Sequence, residues 1–325
     1  MKHGIAIALL IAPMTVAAQP APLSFIGTIA LPGVEGRIDH LAVDQQSQRL
    51  FVAALGNDSV EVGDVKTNTH VRSLKGFREP QGILVTPTPA TVVVANGQGA
   101  SVKFVRGADL TVTRSVTGTD DADNVRFDAP AGRVYVGYGS GALGAIDAAD
   151  GKRVGDVALA GHPESFQLEN AGPRIFVNVP SAGHIAVVNR ATMRVDATWP
   201  VTQARSNYPM ALDEAGHRLF VGCRQPAKVL VVDTSSGKTV ASFDAVGDTD
   251  DLFYDAARKR LYVSGGEGFL DVFEERTGGF VRTLHLATAP GARTALFVPE
   301  MSRLYLAVPH RGAQRAEVRV YEVHD

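Results

Sequence analysis

An all-β fold of seven repeated four-stranded units is predicted by three observations. First, a basic-hydrophobic-hydrophobic-hydrophobic quartet, Arg49-Leu50-Phe51-Val52, returns as Thr91-Val92-Val93-Val94, Arg133-Val134-Tyr135-Val136, Arg174-Ile175-Phe176-Val177, Arg218-Leu219-Phe220-Val221, Arg260-Leu261-Tyr262-Val263 and Arg303-Leu304-Tyr305-Leu306. The steps are 42, 42, 41, 44, 42 and 43 residues. Second, every unit repeats one order: a short strand, a tight turn, the quartet strand, a Gly-rich loop, and two further strands, with no sustained helical period. Third, the last unit ends after its third strand, while an unmatched strand at 24–31 precedes the first unit. A period in the low forties built from β-branched and aromatic runs predicts a seven-bladed β-propeller of four-stranded antiparallel blades, its ring closed by the N-terminal strand in the last blade. That closure removes the two open sheet edges that would otherwise invite aggregation.

Taken in order, residues 1–18 read as a signal peptide. Lys2 supplies the positive start, 5–11 are apolar, and Val16-Ala17-Ala18 places small residues at the cleavage point. The expected mature chain, 19–325, is one propeller domain in the periplasm or beyond. No apolar run is long enough for a spanning helix. A net charge of −2 argues against nucleic acid as partner. Cys223 is the single cysteine, which excludes an internal disulfide and a thiolate metal cluster. It follows a buried strand without a convincing His partner, as a small core thiol would. The seven units run near 38–77, 78–119, 120–161, 162–203, 204–247, 248–288 and 289–325.

The quartets, above all Val92-Val93-Val94-Ala95-Asn96 and Arg260-Leu261-Tyr262-Val263, with the downstream Val-x-Val-x-Asp and Thr-x-x-Gly pieces, resemble the YVTN-type repeat of secreted bacterial YncE-like propellers. The resemblance spans 23–325 and implies the fold. It implies no particular activity, because the shared residues are packing and turn positions and fold does not dictate function.

Two repeated positions separate framework from chemistry. The acidic position before the first turn (Asp44, Asp128, Glu169, Asp213 and Asp255 in five units) and the Arg that opens the quartet are expected to bond each other and the turn amides as a hairpin device. Five residues before this position, which Thr86 and Val298 hold in the other two units, stand Asp39, Gln81, Asp123, Glu164, Tyr208, Asp250 and Arg293, polar in every unit, followed by His40, Gly82, Asn124, Ser165, Pro209, Asp251 and Thr294. Inner strands of a propeller converge on its axis, so these starts are expected to ring one mouth of the central channel. Loops after the quartets bring Asn57, Asn96, Gln98, Tyr138, Asn178, Arg224, Gln225, Glu267, His310 and Arg311 toward the same rim.

A mouth that differs in every blade suits a specific ligand, whereas a hydrated channel needs only generic polarity. The leading reading is a binding module for a small polar ligand or an envelope partner, including an anion held by Arg293, Arg224 and Arg311. The alternative is a metal-assisted lactonase-like hydrolase or lyase. Asp123, Glu164 and Asp250 would then hold calcium or another divalent cation, and His40, Glu164 or His310 would move protons. The mix of acids and amides is similar to the axial calcium site of gluconolactonase-like six-bladed propellers, although no motif is shared. His162, beside Glu164 and Ser165, is a further acid/base candidate, but no nucleophile-elbow pattern surrounds Ser165. A third reading is a scaffold that binds proteins across its rim.

Overall fold

The computed structural model describes residues 21–87 and 90–325, so the expected signal peptide lies outside the described residues. Their strands form seven four-stranded antiparallel sheets arranged as a ring of blades. We number the blades 1 to 7 by the spans 41–75, 80–117, 125–158, 166–200, 205–244, 249–287 and 295–323. In blades 1 to 6 the strands follow chain order from the axis outward.

Blade 7 supplies three strands from the C-terminus and takes its outermost from Leu23–Ala30. That strand pairs antiparallel with Glu317–Val323, from Leu23 opposite Val323 to Ala30 opposite Glu317. Leu23 and Ile29 are buried by it, and Ser24 Oγ lies 2.7 Å from His324 Nε2. The closure expected from the sequence is therefore present.

Quartet side chains alternate between the two faces of a blade and so fill the gaps to both neighbours. The core is consequently a ring of seven clusters, one at each blade interface, including the interface between blades 7 and 1 where Leu50, Tyr305 and Val318 meet. Cys223 sits in the cluster between blades 4 and 5, where burial pushes its thiol up to about 12.

The hairpin device differs from expectation. The acids do cap their turns: Asp44 accepts from the amides of Gln46 and Ser47, and Asp213 from that of Gly216. The expected in-turn pair to Arg is made by Glu169 with Arg174 and by Asp213 with Arg218. More often the Arg reaches into the next blade. Arg49 donates to Gly107 O, Arg174 to Thr234 O, Arg218 to Glu275 and Arg260 to His324 O. A guanidinium on a long stem spans the gap its own short turn does not need it to fill, so these arginines clasp blades together.

Candidate functional site

The mouth is built by a bulge repeated in every blade. In blade 1, Asp39 N donates to Ala53 O and Ala53 N donates to His40 O, so two inner-strand residues oppose one residue of the second strand. The same two-against-one arrangement sets Asp123 and Asn124 against Gly137, and Glu164 and Ser165 against Asn178. Register shifts place Gln81, Tyr208 and Asp250 at the equivalent points of blades 2, 5 and 6. In blade 7, Ala307 N donates to Thr294 O beside Arg293. A bulge ends the regular ladder and re-aims a side chain, which turns one residue per blade toward the axis.

The opposing residue is small in most blades for a steric reason. A Cβ added at Gly222 would lie 2.6 Å from Pro209 Cγ, and one at Gly137 would lie 3.0 Å from Pro163 Cγ.

Around the axis these side chains line a cavity of about 290 Å³. Asp39, His40, Gln81, Asp123, Asn124, Glu164, Tyr208, Arg224, Asp250 and Arg293 all face it, joined by Arg37, Asp121, His162 and Ser165. Arg37, Asp121, His162 and the nearby Asp248 each stand two residues before a bulge position, and the same ruler extended by two would have picked them out. In five blades that position adopts a left-handed backbone, at Glu79, Asp121, Ser206, Asp248 and Gly291, where the chain turns from one blade into the next. Glycine and aspartate, which hold three of these five positions, tolerate that conformation best.

Other expected residues lie elsewhere. Arg311 is exposed on a turn closed by its backbone bonds to Gln314, and His310 pairs with Glu35 at 2.7 Å. Neither lines the cavity, because the blade 7 loop holds them in this local turn rather than over the axis. Asp251 sits below the mouth, accepting from Ala295 N and facing His40 Nδ1 at 3.4 Å. Asn96 and Asn178 are buried braces: Asn96 donates to Ser101 O, and Asn178 donates to Tyr208 O.

The mouth divides into two halves. On the blade 5 to 7 side, Arg224 contacts Asp250 at 2.6 Å and donates to Thr249 O, while Arg293 contacts Asp250 at 2.9 Å and Asp248 at 3.0 Å. The Arg224 guanidinium lies 3.7 Å over the centre of the Tyr208 ring. Two guanidiniums and two carboxylates satisfy one another, which leaves an anionic ligand little to gain there. The anion reading built on Arg224, Arg293 and Arg311 therefore loses its basis.

The blade 1 to 4 side is less settled. His40 lies between Asp39 at 3.6 Å and Asp251 at 3.4 Å, and Arg37 approaches Asp39 at 3.4 Å. His162 Nδ1 donates to Gly139 O, and its Nε2 is 3.9 Å from Asp123. Among the described residues the Glu164 carboxyl has no hydrogen-bond or ion-pair partner. Burial, with the Asp123 and Asp250 charges, raises its pKa to about 9. Burial also raises Asp39, aided by Asp123 and Asp250 and opposed by His40. For His40, burial works the other way but is outweighed by Asp251 and Asp39, which hold it at about 10. Asp123 likewise raises His162, to about 9.

Fold and mouth together define a seven-bladed β-propeller with a charged axial cavity. No family model matches the chain. It is 22% identical over 265 residues, 79% of its length, to YncE of Salmonella typhi and to YncE of Salmonella typhimurium, both described as uncharacterized. In sequence and in its seven blades the chain is similar to YncE-type propellers. It spans 63% of the length of these two relatives. Among solved structures, a chain of hydrazine synthase from Kuenenia stuttgartiensis superposes with a TM-score of 0.74 at 16% identity, covering 86% of this chain and 96% of that one. A chain of a mitotic checkpoint complex superposes with a TM-score of 0.78 at 12% identity, covering 100% and 99%. Both likenesses concern the fold alone. Among the described residues no helix is long and apolar enough to cross a membrane.

Proposed function

We propose that the chain is an exported binding module that takes a small polar ligand in the axial mouth, on the side formed by blades 1 to 4, with Tyr208 of blade 5 at its border. The observation that carries this is Glu164: a half-buried carboxyl that lines the cavity and has no hydrogen-bond or ion-pair partner among the described residues, so a ligand can supply one. Held protonated at neutral pH, it offers one donor and one acceptor, with Gln81, Tyr208 and Asp123 around the same space. A ligand bearing neighbouring hydroxyl or amine groups fits this set. Export rests on the leader-like residues 1–18.

The test is a thermal-shift and calorimetric screen of polar small molecules against the wild type, Glu164→Ala, Asp123→Ala and Asp250→Ala. The reading predicts that confirmed ligands lose affinity in the first two variants. Affinities that survive all three substitutions would move the binding surface to the outer rim and favour a protein partner.

A second reading is supported by one further geometric fact. Asp39, His40 and Asp123 form one set, and Asp123, His162 and Glu164 another, in each of which the potential ligand atoms lie within 4.8 Å of one another. Mixed imidazole and carboxylate donors suit a divalent transition ion better than calcium, which prefers oxygen alone. Such an ion would supply Lewis-acid activation of a bound water or carbonyl. Metal analysis of protein purified without chelator, with melting measured before and after chelator treatment, separates this from the metal-free module.

A further inference from the structure

Beneath the mouth the channel continues as a second chamber of about 400 Å³, with His40 bordering both spaces. This volume falls within the range of about 300–1,000 Å³ typical of small-molecule sites. Its walls come from the inner strands and are largely apolar, with His40, Arg126, Gln167 and Asp251 as their polar members. The third residue after each mouth position is Ala42, Leu84, Arg126, Gln167, Ala211, Phe253 and Leu296 around the ring. Five are apolar, and the two polar ones are neighbours, on blades 3 and 4. Phe127 and Val85 extend the apolar wall.

Arg126 is the unusual member. One guanidinium nitrogen donates to its own neighbour's carbonyl, Val125 O, at 2.8 Å, another lies 3.4 Å from Ser165 Oγ, and the group rests over the Phe166 ring at 5.5 Å. Among the described residues no carboxylate forms an ion pair with it. The two acids near enough to act on it are committed elsewhere. Asp251 accepts from Ala295 N and faces His40, and Asp123 accepts from Asn124 and faces His162. Burial accordingly lowers the Arg126 pKa. A guanidinium carries five donors in a fork that matches a carboxylate, and most of that fork is unused. Gln167, the adjacent polar group, has its amide nitrogen occupied by Met210 O at 2.9 Å.

We propose that this waist chamber is a second binding site, separate from the mouth, for a small amphipathic carboxylate whose head group pairs with Arg126 and whose alkyl or aryl tail packs against Leu84, Phe127, Phe253 and Leu296. The carboxylate supplies the ion pair that the half-buried guanidinium lacks among the described residues, and the apolar walls disfavour fully polar anions. Octanoate has this chemistry and is the probe, with octan-1-ol and octylammonium as comparators of the same tail.

Calorimetric titration of the intact protein with octanoate is expected to give saturable one-to-one binding, with octan-1-ol at least about tenfold weaker and octylammonium undetectable. Arg126→Gln is expected to weaken octanoate by about tenfold or more while leaving octan-1-ol unchanged. Leu84→Trp, which keeps the guanidinium but fills the chamber, should abolish binding, so the test stands even where Arg126→Gln fails to fold. Glu164→Gln, in the mouth, should leave octanoate binding intact. Absence of saturable octanoate binding, equal affinity for octan-1-ol, retention in Leu84→Trp, or loss in Glu164→Gln would each overturn the assignment.

Discussion

The two halves of the mouth are made by the same bulge from the same kinds of residue, yet they do different things. On the blade 5 to 7 side, Asp250 stands between Arg224 and Arg293, with Asp248 behind them, so charge is settled within the protein. Across the axis, Glu164 lacks a partner, and His40 and His162 are held charged by acids 3.4 to 3.9 Å away. What distinguishes the halves is which neighbours the ring supplies. An acid flanked by two arginines on adjacent blades becomes a brace, whereas an acid that faces other acids across a cavity remains available. The braced half fixes the shape of the mouth, and the open half is where a ligand finds unmet groups.

The strongest way to break this comparison is to open the ring where the halves meet, since blade 7 carries Arg293 and blade 1 carries Asp39. Deleting residues 19–33 removes the outermost strand of blade 7 and exposes the edge of Glu317–Val323. Aggregation of the truncated protein is expected, measured by light scattering and size exclusion, and a monomer with unchanged melting would contradict the closure. Next in size is Asp250→Ala, which strands two partly buried guanidiniums on a single remaining acid. A loss of about 3 kcal/mol in denaturant unfolding is expected. An effect inside the error of the wild type would show that the braced half is not braced.

The open half should reveal itself through pH. Glu164 titrates near 9 in the folded protein against an ordinary value of 4.5, so the folded state keeps its proton longer. Its contribution is complete below about 4.5 and lost as pH rises toward 9. His40, raised from 6.5 to about 10, adds stability that is complete below 6.5 and lost as pH rises through 10. Wild-type stability should therefore fall with rising pH across this window. Glu164→Gln should match the wild type near pH 4, exceed it at pH 9, and flatten the slope, as followed by denaturant midpoints in a pH series. The smallest effect is expected for Tyr208→Phe. The Tyr208 ring already supports Arg224 by stacking, and its hydroxyl has no partner among the described residues, so stability should change by less than about 0.5 kcal/mol while affinity for a mouth ligand drops.

Much of this was legible in the sequence because the bulge inserts the same extra residue in every blade. A constant count back from the acidic turn residue therefore always lands on a side chain at the axis, from Asp39 through Arg293. The count fails where the chain leaves the repeat. After the blade 7 quartet a local turn takes His310 to Glu35 and leaves Arg311 exposed, and no spacing in the sequence announces that. Nor does spacing say which charges meet. Asp250 and Glu164 are equivalent by position, and only the packing of neighbouring blades pairs the first and leaves the second alone. The blade-to-blade reach of Arg49 and Arg260 was hidden for a similar reason, since an acid five residues away offered a nearer partner on paper.

The borrowed strand of blade 7 also sets a clock. Leu23–Ala30 pairs with Glu317–Val323, and Leu23 lies 300 residues before its partner Val323. At about 5–20 residues per second, synthesis holds that strand waiting on the order of tens of seconds. Throughout that interval the growing ring exposes an open edge at its leading blade. Until Glu317–Val323 is available, Leu23–Ala30 has no strand of blade 7 to pair with.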